Sequence, residues 1–253
     1  MKNYLIKGMH RIASSEWWKG SNRSSEGDLF ELYGQMNEIG KSSFKHFLQG
    51  DWELINLVSE AQDVCHIFRQ QFLAIYDIWR QEPCNILYCG ADTQMIKPTE
   101  VFGKYDGFRL FNYTDPKSKP ECEHYLNADV RYYPSTMSQE MWDTVIPQVK
   151  NCTTWGVDQL LYNWMVWSQG LPPEEIVDPK MAYQGFMIPQ GSRELSDEWN
   201  GCKIEDANLI HWHGSRGAPL KLRVMQQIQK ELGVPDVSER NITERTIDIT
   251  GIV

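Results

Sequence analysis

Asp92 stands just past an apolar run, in Asn85-Ile86-Leu87-Tyr88-Cys89-Gly90-Ala91-Asp92. Open α/β sheets hold their ligands in the crevice beyond the strand ends, which is where such a carboxylate would lie. The structural alternative is a turn or capping aspartate, the commoner fate of Asp beside Thr. His211-Trp212-His213-Gly214-Ser215-Arg216-Gly217 repeats the arrangement after a second apolar run, and in a strand His211 and His213 would share one face. Hard or borderline divalent metals accept carboxylate and imidazole together, so Asp92 and His211 could complete one coordination sphere with waters and phosphate oxygens. Two hydrogen-bonded histidines in a polar cleft are the alternative.

Two further clusters carry polar groups inside apolar surroundings. In Trp155-Gly156-Val157-Asp158-Gln159-Leu160-Leu161-Tyr162-Asn163 the residues Asp158, Gln159 and Asn163 interrupt an apolar helix. Asp158 near the helix start suits the positive end of the dipole, and polar side chains there equally suit a sugar's hydroxyls. In Tyr125-Leu126-Asn127-Ala128-Asp129-Val130, read as a strand, Asn127 and Asp129 share one face with Ala128 on the other. A buried Asn and Asp need partners, either protein groups or a ligand.

The elements that must position these groups alternate between strand-like and helix-like, the pattern of helices packed on a mostly parallel sheet. Strands are expected at Tyr4–Ile6, Trp52–Val58, Asn85–Cys89, Gly107–Phe111, His124–Val130 and, last, Ala207–His211. Leu29, Leu32, Met36 and Ile39 recur at helical spacing, as do Phe72, Ile75, Tyr76 and Trp79 before Glu82-Pro83. Helices are also expected from Gln139 to Val149 across Pro147, and from near Asp158 with Leu160, Leu161, Trp164, Met165 and Trp167 facing the core. The last helix would carry Leu220, Val224, Ile228 and Leu232 on one stripe. One α/β domain over 1–253 is expected, with a polar, loosely held tail from about 236.

The chain of 253 residues can bury a large core. Its 25 basic against 34 acidic residues, a formal charge of -9, argue against a general nucleic-acid binder. No apolar run reaches membrane-spanning length and the first residues lack the apolar core of a secretory signal, so a soluble, cytoplasmic protein is expected. The six scattered cysteines, with no CxxC pair, read as free and mostly buried thiols.

Taken in chain order, the four clusters resemble those of the GT-A-fold nucleotide-sugar glycosyltransferases, in particular the retaining family that includes glycogenin and bacterial lipopolysaccharide galactosyltransferases. That family has a Tyr-Leu-Asp-x-Asp-like strand end, a Phe-Asn-Ala-Gly strand, an Asp-Gln-Asp-x-x-Asn helix start and a His-x-x-Gly-x-x-Lys-Pro motif. Tyr88-Cys89-Gly90-Ala91-Asp92, Leu126-Asn127-Ala128-Asp129, Asp158-Gln159-Leu160-Leu161-Tyr162-Asn163 and His211-Trp212-His213-Gly214 echo them here, between about Arg69 and Pro219. The resemblance implies a GT-A-like α/β domain with a mostly parallel central sheet flanked by helices. It implies a glycosyltransferase, a hexosyltransferase favoured, moving a sugar from a UDP-sugar to a hydroxyl of a glycan or other acceptor. Asp92 and His211 would hold Mn²⁺ or Mg²⁺ against the diphosphate. Arg69, Asn127, Ala128, Gly214 and Arg216 would help bind the donor, with Asp158, Gln159 and Asp129 at the reacting sugar.

Three departures bear on that expectation. Gly90 replaces the first carboxylate of the Asp-x-Asp pair, Asp129 replaces a glycine, and Gly217 stands where the family has a phosphate-binding lysine, leaving Arg216 or Lys221 to substitute. If configuration inverts, Asp129 or Asp158 would be the general base; if it is retained, no such base is required and Gln159 would position the sugar. Two other functions compete: a non-catalytic carbohydrate-binding protein of the same fold, favoured by the glycine at 90, and a nucleotidyltransferase, disfavoured by the lack of a glycine-rich phosphate loop.

Overall fold

The computed structural model describes residues 1–12, 29–111, 125–154, 157–176, 178, 180–186, 198–199, 202–213, 218–235 and 240–252. In chain order the elements are β1 (Asn3–Ile12), α1 (Leu29–Phe47), β2 (Glu53–Ala61), α2 (Val64–Gln81), β3 (Asn85–Cys89), β4 (Thr93–Met95), β5 (Arg109–Leu110) and β6 (Val130–Tyr133). They continue with α3 (Gln139–Lys150), α4 (Val157–Trp167), α5 (Pro173–Ile176), β7 (Tyr183–Phe186), β8 (Glu198–Trp199), β9 (Cys202–Lys203), β10 (Leu209–His213), α6 (Ala218–Glu231) and β11 (Glu244–Asp248).

Six strands form the main sheet in the order β11-β2-β1-β3-β6-β5. The first four run parallel, and β6 is antiparallel to both β3 and β5. A second sheet, β4-β10-β7, stands beside it, with β10 antiparallel to β4 and parallel to β7. The fold is therefore α/β with a mostly parallel central sheet flanked by helices.

Strand alternation sorts the core into two sides. Ile6, Ile55 and Ile86 pack with Phe72 and Ile75 of α2, Trp142 of α3 and Met165 of α4. Their chain neighbours Leu5, Leu54 and Leu87 pack on the opposite side with Phe44 of α1, Leu48 and Met95. Both faces of β3 are covered, which is why Asn85 to Cys89 reads as a continuous run. At the start of α2, Asp63 accepts a hydrogen bond from the His66 N–H at 2.8 Å, satisfying one of the orphan donors of that end.

Several boundaries differ from expectation. The segment from Tyr125 to Asp129 is irregular apart from a single bridge at Leu126, and regular strand begins only at Val130. Asn127 and Asp129 are therefore not alternate residues of one strand. On α4 the buried residues are Tyr162, Asn163, Met165 and Val166, whereas Leu160 and Trp164 are exposed. On α6 the buried positions are Ala218, Lys221, Leu222, Met225 and Gln229, one step off the aliphatic stripe, so Leu220 and Leu232 face outward. Far from being loosely held, the chain beyond 240 adds β11 to the sheet edge, and Ile249 after it is fully buried.

Candidate active site

The turn after β3 is fixed from beneath by a lysine. Lys7, fully buried in β1, donates to the Gly90 carbonyl at 2.6 Å and to the Thr93 hydroxyl at 2.7 Å. The Thr93 hydroxyl in turn donates to the Gly90 carbonyl at 2.7 Å. Helix α1 comes close because Gly40 has no side chain: a Cβ there would lie 2.5 Å from the Thr93 carbonyl oxygen and 2.9 Å from Lys7 Nζ. Burial pulls the Lys7 ammonium down to about 8, against the opposing pull of Cys89 and Asp92.

This turn presents Asp92 to β10. Thr93 pairs with His211, and the Trp212 N–H donates to the Asp92 carbonyl at 2.9 Å. His211 Nε2 then lies 3.6 Å from Asp92 Oδ1 and 3.1 Å from Asp129 Oδ2. Lys221 of α6 approaches from the other side, with Nζ 2.6 Å from Asp92 Oδ2. The two oxygens of Asp92 thus serve different neighbours. Asp92, His211 and Lys221 are buried, while the Asp129 side chain is 52% exposed and forms the open side of the cluster.

Burial opposes the charges of Asp92, His211 and Lys221 and is outweighed in each case. It pushes the Asp92 carboxyl up, but Lys221 and His211 hold it below the ordinary carboxylate range. It pushes the His211 imidazole down, but Asp129 and Asp92 raise it above the ordinary value. Lys221 is likewise held above its ordinary value, against burial, by Asp92 and Tyr33. Opposite charges in a low-dielectric pocket stabilise one another in this way.

The polar start of α4 lies within electrostatic reach of Asp129. Burial and the Asp129 charge raise the Asp158 carboxyl, while the Gln159 N–H and Arg131 pull it down. Arg131 is buried beneath, its guanidinium 3.8 Å from the Tyr88 ring centroid and 4.3 Å from that of Tyr162, with Nη2 donating to Gln71 Oε1 at 3.3 Å. Asn163 clamps the irregular segment: Oδ1 accepts from the Leu126 N–H at 2.7 Å and Nδ2 donates to the Leu126 carbonyl at 2.8 Å.

Other candidate residues have mainly local partners. Asn127 is buried and accepts from the Asp129 N–H at 2.9 Å, closing the turn that aims Asp129. Ala128 packs in the core. Arg69 donates to the Cys152 carbonyl at 2.6 Å and so fixes the chain ahead of α4. Gly214 and Arg216 lie outside the described residues. Sequence reasoning missed Lys7, which follows Tyr4-Leu5-Ile6 and reads as the end of that strand, and named Lys221 only as a stand-in.

Two carboxylates and an imidazole are a donor set that suits Mn²⁺ or Mg²⁺. Among the described residues, however, no group of three or more His, Cys, Asp or Glu is arranged around an ion position. Instead His211 is closed onto Asp129 and Lys221 onto Asp92.

No family model matches this chain, and no curated protein does. Among solved structures it is similar to a glycosyltransferase involved in the glycosylation of the major capsid of PBCV-1, at 12% identity and a TM-score of 0.53, over 90% of this chain and 100% of that one. The fold is that of the GT-A glycosyltransferases. The galactosyltransferase LgtC, in complex with donor and acceptor sugar analogues, is also similar, at 10% identity and a TM-score of 0.41, over 88% of this chain and 95% of that one. No helix among the described residues is long and apolar enough to cross a membrane.

Proposed function

We propose that this chain is a metal-dependent glycosyltransferase that moves a sugar, a hexose favoured, from a UDP-sugar to a hydroxyl of a glycan or other acceptor. The convergence of Asp92 and His211 beyond the end of β3, in a GT-A fold, carries this reading. Asp92 and His211 are assigned as ligands of Mn²⁺ or Mg²⁺. Held there, such an ion would supply Lewis-acid stabilisation of the diphosphate leaving group. Lys221, still charged beside Asp92, adds fixed positive charge toward the phosphates.

Asp158 and Gln159 are assigned to the transferred sugar, with Asn127 and Ala128 shaping the wall on which it rests. An inverting reaction needs a base for the acceptor proton, and the raised Asp158 carboxyl suits that role. In a retaining reaction Gln159 orients the sugar and no base is required.

A thermal-shift screen of UDP, GDP and CMP with and without Mn²⁺ tests the reading, followed by hydrolysis of the matching nucleotide sugars. UDP with Mn²⁺ should stabilise the fold, by about 2.7 kcal/mol at a hundred times its Kd, and EDTA should remove the effect. Absence of any nucleotide response under every metal condition would sink the proposal.

A further inference from the structure

Two thiols that the proposed reaction does not use lie side by side next to the entry of α4. Cys65 stands in the first turn of α2, and Cys152 two residues past the end of α3. Both are free, and both are buried, at 8% and 4% exposure. The Cys65 S–H donates to the Cys152 sulfur, and the Cys152 S–H donates to the Thr154 carbonyl at 3.6 Å. A thiol has one proton to give, so the bonds run one way, from Cys65 through Cys152 to the backbone. Arg69, one turn after Cys65 on α2, donates to the Cys152 carbonyl at 2.6 Å and holds that segment against the helix.

The cover over the pair is thin. Gln62 and Asp63 ahead of Cys65 are exposed, as are Asn151, Thr153 and Thr154 around Cys152. Helix ends fray at little cost, so opening of the first turn of α2 admits a small reagent. Burial pushes the Cys65 thiol up to about 11. It raises Cys152 as well, but there the Thr154 backbone, the Cys65 S–H and the Arg69 charge favour the thiolate. Cys152 is therefore the attacking sulfur and Cys65 the resolving one.

We infer that Cys65 and Cys152 form an oxidative modification site, a dithiol that a small-molecule disulfide converts to a reversible crosslink between α2 and the segment leading into α4. The Cys152 thiolate attacks one sulfur of the reagent R–S–S–R, forming a mixed disulfide and releasing R–S⁻. The Cys65 sulfur, already in contact, then attacks the Cys152 sulfur, and the bond to the second R–S⁻ breaks. The two cysteine protons end on two molecules of R–SH, and the two electrons lost by the cysteines reduce the reagent. The crosslink removes the S–H that serves the Thr154 carbonyl, which also accepts the Val157 N–H at 3.4 Å where α4 begins. The helix that carries Asp158 and Gln159 is thereby tied to α2 at its entry. In a reducing compartment the pair stays open and closes only under oxidant load.

The test incubates the folded full chain with oxidised glutathione in mildly alkaline buffer, digests it without reductant and reads the peptides by mass spectrometry. A peptide pair joined through Cys65 and Cys152, two hydrogens lighter than the reduced pair and separated by dithiothreitol, should be the main linked product among the six cysteines. Cys65→Ala should stop at one glutathione on Cys152, and Cys152→Ala should lose the crosslink altogether. No modification of the pair, arrest of wild type at the mixed disulfide, or preferential joining of either residue to another cysteine overturns the inference. The readout is covalent and needs neither metal nor nucleotide, so its failure leaves the glycosyltransferase reading untouched, and failure of that reading leaves the crosslink standing.

Discussion

At the scale of the residue, Lys221 and Asp92 form an ion pair at 2.6 Å with both groups buried. Removing one partner of such a pair leaves an uncompensated buried charge and costs about 3–5 kcal/mol, whereas replacing both is much milder. Lys221→Met should therefore lower metal-free stability in urea by about 3–5 kcal/mol, and Asp92→Asn in the same chain should recover part of it. A second outcome follows from His211. Its folded-state pKa is raised, so the folded chain holds the proton more tightly than the unfolded one. That contribution is fully present below about pH 6.5 and is lost as pH rises through the higher folded value. Without metal, stability should decline across that window, and Asp129→Asn should flatten the decline. Asp92 and His211 were legible because each ends an apolar run. Lys7 was not, since a lysine after Tyr4-Leu5-Ile6 reads as the end of a strand that in fact continues to Ile12.

At the scale of the element, α4 shows why periodicity alone misplaces faces. Of the expected stripe Leu160, Leu161, Trp164, Met165 and Trp167, Leu160 and Trp164 are exposed, whereas Asn163 is buried, its side chain bonding both the N–H and the carbonyl of Leu126. Asn163 also donates to the Gln159 carbonyl at 2.8 Å. Asn163→Leu keeps the volume but orphans buried backbone groups at about 1–3 kcal/mol each. It should destabilise the chain by about 2–5 kcal/mol in denaturant and, through the Asn127–Asp129 turn, loosen the approach of Asp129 to His211. A loss under 1 kcal/mol would mean that water or a shifted backbone replaces the clamp. The helix itself was legible from its apolar density, but its buried face was not. That face depends on the irregular segment from Tyr125 to Asp129, whose β-forming residues suggest a strand but whose Leu126 backbone is held by the Asn163 side chain.

At the scale of the whole molecule, the parallel pairing of β2, β1 and β3 agrees with the mostly parallel sheet expected from alternating strands and helices. The final strand escapes that logic because β11 lies at an edge and is mostly exposed, so Glu-Arg-Thr-Ile-Asp carries almost no apolar signal. Polar contacts hold it instead. Glu244 accepts from Lys45 at 2.7 Å, from Asn56 at 2.8 Å and from Lys41 at 3.1 Å, joining β11 to β2 and to α1. Beyond it, Gln70 of α2 donates to the Thr250 carbonyl at 2.7 Å, and Ile249 is buried in the core. Burial pushes the Glu244 carboxyl up, yet Lys45, Asn56 and Lys41 hold it down at about 2. A depressed carboxylate contributes stability that is present above its unfolded value of about 4.3 and is lost as pH falls through about 2. Glu244→Gln should therefore remove part of the acid-limb stability loss of wild type between those values while lowering stability at neutral pH. Hydrogen exchange should show β11 opening before β1 and β2 in that variant. Equal protection of β11 in variant and wild type at neutral pH would show that Ile249 and the backbone ladder hold the edge without the charge cluster.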